Sequence, residues 1–215
     1  PTAIAACMHG KGDFGHTCVG HLRFGRTGKL KIRCWKTVGH GPLSLTSAIQ
    51  RSCNPYFMQL STELGNERMA NVFDMLNLGR ETGVKLPAED RGIIPGSEWW
   101  RRELHPGESM TPARMAMLAI GQDESEATPL QLAALAACVA NGGKYYRPRI
   151  IKMAVDPKEG ILISDIPELR VDLVTEGMDS EQFADLRQGM WKAANEPGGT
   201  ARRAVSYTHL RAHET

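Results

Sequence analysis

Residues 44–57 read Ser-Leu-Thr-Ser-Ala-Ile-Gln-Arg-Ser-Cys-Asn-Pro-Tyr-Phe, and within them one helix ends and another begins. Ser44 suits the N-cap of the first helix, because its hydroxyl can accept a hydrogen bond from a free amide of the first turn. That helix cannot continue past Cys53, since Asn54-Pro55 supplies a new cap and a proline suited to a first helical turn. The sequence therefore predicts that Ser52-Cys53-Asn54 lies in a sharp junction between two helices.

Helical spacing continues beyond this junction. Apolar residues recur every three or four positions in the second helix, and Gly65 is expected to end it. A third helix is predicted from about Asn66, stopping before Gly79. The apolar residues that should line these two helices are Tyr56, Phe57, Leu60, Leu64, Met69, Val72, Phe73 and Leu76.

The second half of the chain begins with an irregular segment. Residues 80–127 are rich in Gly, Pro, Glu and Arg without a sustained period, which predicts a long functional loop. The clearest helix start follows it, because Thr128 and Gln131 form a capping-box pattern around a proline. Short β-like runs at 145–151 and 161–163 and a helix through 183–191 complete a helix-rich α+β chain.

The charge balance argues against a nucleic-acid-binding protein, and the distribution of apolar residues argues against a membrane-spanning helix within this sequence. The chain has 26 Lys and Arg residues against 24 Asp and Glu residues, for a net charge of +2 without a long basic run. A nucleic-acid partner is therefore not expected, because phosphate binding needs a clustered positive face. The sequence also has no apolar run of about 18 residues, the length that a membrane-spanning helix needs.

Four groups of segments occur in a telling order: Gly39-His40-Gly41 with 44–45 and 52–57, Thr82-Gly83-Val84 with 86–89, 120–122 with 128–133 and 141–143, and 189–191 with 197–201. In this order they resemble the class B penicillin-binding proteins, and most closely the penicillin-binding protein 2 subfamily. The resemblance implies a partial penicillin-binding and serine β-lactamase-like transpeptidase fold over residues 1–204, missing most of its antiparallel sheet. Residues 205–215 instead resemble a translated sequencing adapter and are predicted to be a non-native tail.

The family's chemistry uses three motifs: Ser-x-x-Lys with the nucleophile, Ser-x-Asn, and Lys-Thr/Ser-Gly. This sequence contains the second motif, as Ser52-Cys53-Asn54. The resemblance implies that the nucleophile lies about four residues before Pro1 and that the third motif follows residues 198–201, so the chain alone is expected to be inactive. Ser52 and Asn54 are the predicted catalytic residues, and helix capping is the alternative role for both.

The resemblance also implies a function for the whole protein. It would be a peptidoglycan D,D-transpeptidase that cross-links stem peptides through an acyl-serine enzyme and binds β-lactams. Its partner would be a membrane-embedded glycan polymerase, and it would work on the extracytoplasmic face of the bacterial cytoplasmic membrane, anchored by a helix preceding Pro1. A D,D-carboxypeptidase, a serine β-lactamase and a non-catalytic binding or sensor module are the alternatives.

One segment departs from the family pattern. The family usually has glycine after the equivalent of Gly121-Gln122, whereas this chain continues Asp123-Glu124-Ser125-Glu126. Three carboxylates are thus expected in a loop bordering the cleft, which puts the family's substrate contacts there in doubt.

Five cysteines are present, an odd number that argues against a complete disulfide framework. Cys7 and Cys138 lie among alanines and are predicted to be small buried apolar residues. Cys18, Cys34, His40 and Cys53 match a closed structural zinc site of three thiolates and one imidazole. A Cys18–Cys34 disulfide and unlinked thiols are the alternatives, with His40 then a simple turn residue. No partners are evident for the histidines His9, His16, His21 and His105.

Overall fold

The computed structural model describes residues 1–24, 28, 30–158 and 160–202, so the tail predicted at 205–215 lies outside the described residues. None of the described helices has both the length and the apolar character needed to cross a bilayer. The helices are α1 (Thr2–Met8), α2 (Leu45–Arg51), α3 (Asn54–Leu64), α4 (Asn66–Met75), α5 (Pro112–Leu118), α6 (Pro129–Ala140) and α7 (Ser180–Asn195).

The strands form antiparallel pairs. Within the described residues β1 pairs with β4, β2 with β3, β5 with β8 and β6 with β7, and no larger sheet is present. This helix-rich α+β arrangement confirms the predicted fold class. The strands are β1 (His16–Cys18), β2 (His21–Phe24), β3 (Leu30–Arg33), β4 (Gly41–Leu43), β5 (Lys144–Tyr146), β6 (Met153–Asp156), β7 (Gly160–Ser164) and β8 (Leu169–Asp172).

The helices around the junction form largely as the sequence predicts. Ser44 caps α2 in a reciprocal capping box with Ser47, and Gly65 ends α3. The predicted cap of α3 is wrong by one residue. The N-cap is Cys53, which has an extended backbone, because Asn54 already has helical dihedrals and Pro55 occupies the second helical position. The first-turn preference of proline tolerates either position.

Part of the core forms where α2 packs on α7, and α3 packs on α1, α4 and α5. Gly189 in α7 faces α2, where a Cβ atom would lie 2.9 Å from Ile49 Cβ and 3.1 Å from the Thr46 carbonyl oxygen. Any larger residue would therefore push the two helices apart. Tyr56 is fully buried in the core, and its hydroxyl donates to the Phe14 carbonyl over 2.6 Å.

The segment 80–127 is more ordered than the predicted loop. It contains a π-helical turn at Trp100–Leu104 and helix α5, whose N-cap is Thr111. A single antiparallel bridge joins Ile93 to Glu126 and closes the segment at its base. Helix α5 was missed because seven residues are too few for helical periodicity to stand out from an irregular background.

Gln131 joins this segment to α6. Its side chain is fully buried, and its Oε1 accepts from the Thr128 amide over 2.8 Å as the capping box predicts. Its Nε2 lies 2.7 Å from the Arg80 carbonyl, 2.9 Å from the Arg91 carbonyl and 3.3 Å from the Asn77 carbonyl. One carboxamide thus caps α6 and satisfies carbonyl groups in two separate stretches of backbone.

A charge at this position should unfold the segment. Gln131→Glu replaces the donor with a carboxylate facing three carbonyl oxygens, so the free energy of unfolding should fall by about 3 kcal/mol or more in urea titrations. The matched control is Gln188→Glu, because Gln188 is exposed on α7 and the same change there adds a charge that water can solvate. Equal losses in the two variants would contradict this role of Gln131.

Candidate functional site

The junction between α2 and α3 presents two polar side chains. Ser52 is exposed and has left-handed backbone angles, φ 47° and ψ 55°, whereas Cys53 is fully buried. Asn54 is half-buried at the first position of α3. Among the described residues, neither the Ser52 hydroxyl nor the Asn54 carboxamide has a hydrogen-bond partner, so neither side chain caps a helix here. These contacts do not test the catalytic roles predicted for Ser52 and Asn54, which stay predictions.

The turn after α7 supports the junction from one side. Gln50 is buried, and its Nε2 lies 3.3 Å from Glu196 Oε2 and 3.4 Å from the Pro197 carbonyl oxygen. The Thr200 amide donates to the Gln50 carbonyl over 3.3 Å. Residues 197–201, which resemble a turn of the family, therefore contact Gln50, which lies two positions before Ser52 in the sequence.

The four predicted metal ligands converge. One ligand atom from each of Cys18, Cys34, His40 and Cys53 lies within 4.8 Å of all the others, and all four residues are buried. Cys18 ends β1, Cys34 follows β3, His40 precedes β4 and Cys53 lies in the helix junction. The pairing of β1 with β4 places Cys18 opposite Gly41, next to His40.

A glycine permits this convergence. Gly39 has a φ of +85°, and a Cβ atom there would lie 2.2 Å from the Cys18 carbonyl oxygen. A side chain at this position would therefore force His40 away from the thiols. The Nδ1 atom of His40 lies 3.5 Å from Cys34 Sγ, and its Nε2 is buried without a hydrogen-bond partner in the described part of the chain.

The electrostatics of this cluster keep two of its three thiols protonated unless a cation compensates their charge. Burial opposes ionisation of Cys18, but hydrogen bonds from the Gly20 and His40 amides outweigh it and lower the Cys18 pKa. Burial raises the pKa of Cys34 and of Cys53, and the neighbouring Cys18 charge raises both further. Three thiolates at this spacing repel one another, so their joint ionisation needs a compensating cation.

The imidazole is suited to the same role. Burial lowers the pKa of His40, and the nearby charges of Lys36 and Arg51 lower it further. His40 is therefore neutral at pH 7, which is the form that binds a metal ion. All five cysteines carry free thiols, and Cys7 and Cys138 lie in the apolar core as predicted.

A second polar cluster was missed in the sequence. His105 stacks on the buried Trp100 ring, with 4.4 Å between centroids, and its Nδ1 and Nε2 lie 3.1 Å and 2.9 Å from carboxylate oxygens of Glu108 and Glu124. Trp100 Nε1 also donates to Glu124 over 2.9 Å. The expectation that His105 lacks a partner is therefore wrong: Glu108 lies only three residues away, and Glu124 comes from a segment that only the folded chain brings close.

The same cluster explains part of the acidic loop. Glu124 is held by Trp100, His105 and Arg114, so it is committed to the fold. Asp123 has a φ of +67°, the left-handed region in which glycine is the unstrained residue. Aspartate tolerates this region better than most residues do, which accounts for its presence where the family usually has glycine.

Comparison with known proteins identifies the family. The sequence model described as "penicillin binding protein transpeptidase domain" matches residues 3–212. The chain belongs to the penicillin-binding protein transpeptidase family. The match confirms the resemblance based on the Ser-x-Asn junction and the segments around it.

Individual relatives place the chain within class B of this family. The peptidoglycan D,D-transpeptidase MrdA of Acinetobacter baumannii is 32% identical over 164 residues, which cover 74% of this chain and 23% of that protein. Penicillin-binding protein 2 of Pseudomonas aeruginosa, solved in complex with WCK 5153, is 27% identical with a TM-score of 0.80, covering 94% of this chain and 42% of that one.

A third similar structure is a peptidoglycan synthase complex, solved to describe how polymerization and crosslinking are coordinated. The matched chain is 28% identical with a TM-score of 0.73, covering 94% of this chain and 32% of that one. The chain spans about a quarter of the length of the curated relatives that it matches.

The Glu124 contacts predict a pH dependence of stability. The hydrogen bond from Trp100, with the nearby charges of His105 and Arg114, lowers the pKa of Glu124 below its ordinary value of 4.5. A carboxyl whose pKa is lower in the folded state stabilises the fold above its unfolded pKa and loses that contribution as the pH falls through its folded pKa. The urea midpoint should therefore fall between about pH 5 and pH 3, and Glu124→Gln should flatten this fall.

The matched control for this measurement is Glu176→Gln, which alters an exposed glutamate in the turn after β8. The control should keep the pH profile of the unmodified protein. An unchanged profile in Glu124→Gln would show that the cluster does not contribute to acid stability.

Proposed function

We propose that the chain is part of a serine-type peptidoglycan D,D-transpeptidase that cross-links stem peptides through an acyl-serine enzyme. The family assignment and the resemblance to MrdA support this proposal. The observation that carries it is the junction itself, where Ser52 and Asn54 lie on a rigid connection between two packed helices. Their polar groups have no partner among the described residues, so they are free to bind a substrate.

The proposed roles follow from acyl-transfer chemistry. A serine hydroxyl is a weak nucleophile, and in this family the lysine of Ser-x-x-Lys accepts its proton while backbone amides stabilise the tetrahedral oxyanion. The Ser52 hydroxyl would hydrogen-bond that lysine and pass a proton to the leaving D-alanine amine. The Asn54 carboxamide would hold the amide of the donor peptide in register with the nucleophile.

The proposal includes a partner and a location. The similarity to a chain of a peptidoglycan synthase complex supports a membrane-embedded glycan polymerase as the partner of the whole protein. Such a polymerase would supply glycan strands where the transpeptidase cross-links them. We place this activity on the extracytoplasmic face of the cytoplasmic membrane, with the anchor outside residues 1–215.

We propose in addition that Cys18, Cys34, His40 and Cys53 bind one structural zinc ion. The convergence of the four ligand atoms and the neutral imidazole support this assignment. A bound zinc ion would neutralise the thiolates and close the coordination shell without an open position for chemistry. Because Cys53 lies between Ser52 and Asn54, its ligation would fix the backbone that carries both.

The catalytic assignment predicts a loss of acylation. In the full-length gene product, Ser52→Ala and Asn54→Ala should each slow labelling by a fluorescent penicillin by about 10²-fold or more, the scale of losing a positioned proton-transfer or binding group. Ser180→Ala and Asn195→Ala, two changes at the ends of α7, are matched controls and should label normally.

Several outcomes would contradict the proposal. Normal labelling of both junction variants would remove Ser52 and Asn54 from the reaction. A full-length protein that no penicillin labels would favour the non-catalytic module. Release of D-alanine from a model pentapeptide to water, without transfer to an amine acceptor, would favour a D,D-carboxypeptidase, and hydrolysis of the penicillin with turnover would favour a β-lactamase.

The metal assignment predicts about one equivalent of zinc in full-length protein made under metal-replete, reducing conditions. A chelator should lower its melting temperature, because the binding free energy is also folding free energy. His40→Ala should reduce the zinc content and weaken acylation by penicillin, while the control Cys138→Ala should keep the zinc. A Cys18–Cys34 disulfide would instead make the protein sensitive to a reductant and indifferent to a chelator, and elemental analysis without zinc would end the metal proposal.

A further inference from the structure

Ser52 has a backbone conformation that its surroundings must enforce. Non-glycine residues are uncommon in the left-handed region, and such strain persists only where neighbouring contacts overdetermine it. The Ser52 and Cys53 amides donate to the Ile49 and Ala48 carbonyls, over 3.2 Å and 3.1 Å, and so close the end of α2. Together they form the Schellman arrangement that commonly ends a helix with a left-handed residue. The carbonyl of Arg51, on the other side of the same peptide unit, points out of the helix and is held by further contacts.

Arg51 adds two contacts from outside the helix. Its carbonyl oxygen accepts from Trp35 Nε1 over 2.9 Å, and its guanidinium Nη1 donates to the His40 carbonyl oxygen over 3.2 Å. The peptide bond is planar, so fixing the Arg51 carbonyl also fixes the direction of the Ser52 N–H. The φ angle of Ser52 is the rotation about its N–Cα bond, and this bond begins at the nitrogen of the same peptide plane. The indole bond therefore acts directly on the strained residue.

The described contacts of the Trp35 side chain are its hydrogen bond to Arg51 and its ring contact with His40. Its side chain is 57% exposed, although large aromatic residues normally contribute most when buried. It follows Cys34 directly, and its ring contacts the edge of the His40 ring with 5.0 Å between centroids. Its N–H is committed to Arg51. The side chain thus connects the segment 34–40 to the helix junction by its polar edge while its ring stays at the surface.

We propose that Trp35 and Arg51 are positioning residues that hold Ser52 in the left-handed conformation in which its hydroxyl faces the substrate. The proposal rests on the transpeptidase function for its catalytic consequence. Both hydrogen bonds end on backbone carbonyl groups, those of Arg51 and His40, and neither uses one of the four candidate ligand atoms. Neither residue would contact the substrate.

Hydrogen exchange of the full-length protein tests the structural half of the proposal. Trp35→Phe keeps an aromatic ring and removes the N–H, so exchange of the Ser52 and Cys53 amides should accelerate about fivefold, the scale of one net hydrogen bond. The matched control is Trp191→Phe, because Trp191 is 58% exposed and lies on α7. Unchanged exchange at Ser52 and Cys53 in Trp35→Phe, or equal acceleration in the control, would overturn the proposal.

Acylation kinetics test the functional half. Trp35→Phe and Arg51→Ala should each lower the first-order acylation constant of the full-length protein by a fluorescent penicillin about tenfold, with little change in the dissociation constant of the initial complex. Arg51→Lys should recover part of this loss, because an ammonium can still donate to the His40 carbonyl. The melting temperatures should stay within a few degrees of the unmodified protein, since both side chains lie at the surface or near it.

The two measurements separate this proposal from the proposed function. Wild-type acylation rates in Trp35→Phe would overturn the positioning role. A weakened initial complex with an unchanged acylation constant would do the same, because it would indicate a role in binding. If the unmodified full-length protein is not acylated at all, the transpeptidase assignment fails, and the exchange experiment alone decides whether Trp35 holds the junction.

Discussion

The buried thiol of Cys53 sets the geometry of the junction. Cys53 is the N-cap of α3, belongs to the apolar core and provides one of the four converging candidate ligand atoms. Because the side chain points inward, the two neighbouring residues are turned toward solvent, and the chain passes through the left-handed region at Ser52 to achieve this. The positions of the helices and of the polar groups at the site therefore follow from one inward-pointing side chain.

Features that depend on neighbours in the sequence could be predicted. The caps at Ser44 and Thr128 involve residues three positions apart, so a short stretch contains all the information about them. The convergence of Cys18, Cys34, His40 and Cys53 was predictable for a different reason, since three cysteines and a histidine are a combination that suits a closed zinc site. The family resemblance contributed the roles of Ser52 and Asn54, which spacing alone would have assigned to helix capping.

Features that depend on the path of a loop could not be predicted. His105 meets Glu124 only because the π-helical turn and the loop after α5 approach each other in the folded chain. The short strands β1 to β4 have too few residues to show an alternating pattern, and their pairing brings Cys18 beside His40. The contact between Trp35 and Arg51 spans the same region and has no signature in either local sequence.

The buried carboxamide of Gln131 has a consequence for how this region can evolve. It recognises the carbonyl oxygens of Asn77, Arg80 and Arg91, which every amino acid provides, and it contacts none of their side chains through these bonds. Substitutions along the segment that it holds can therefore accumulate without disturbing the attachment, provided that the backbone keeps its course. A chain built in this way can diversify the surface beside its cleft while the helix beneath stays the same.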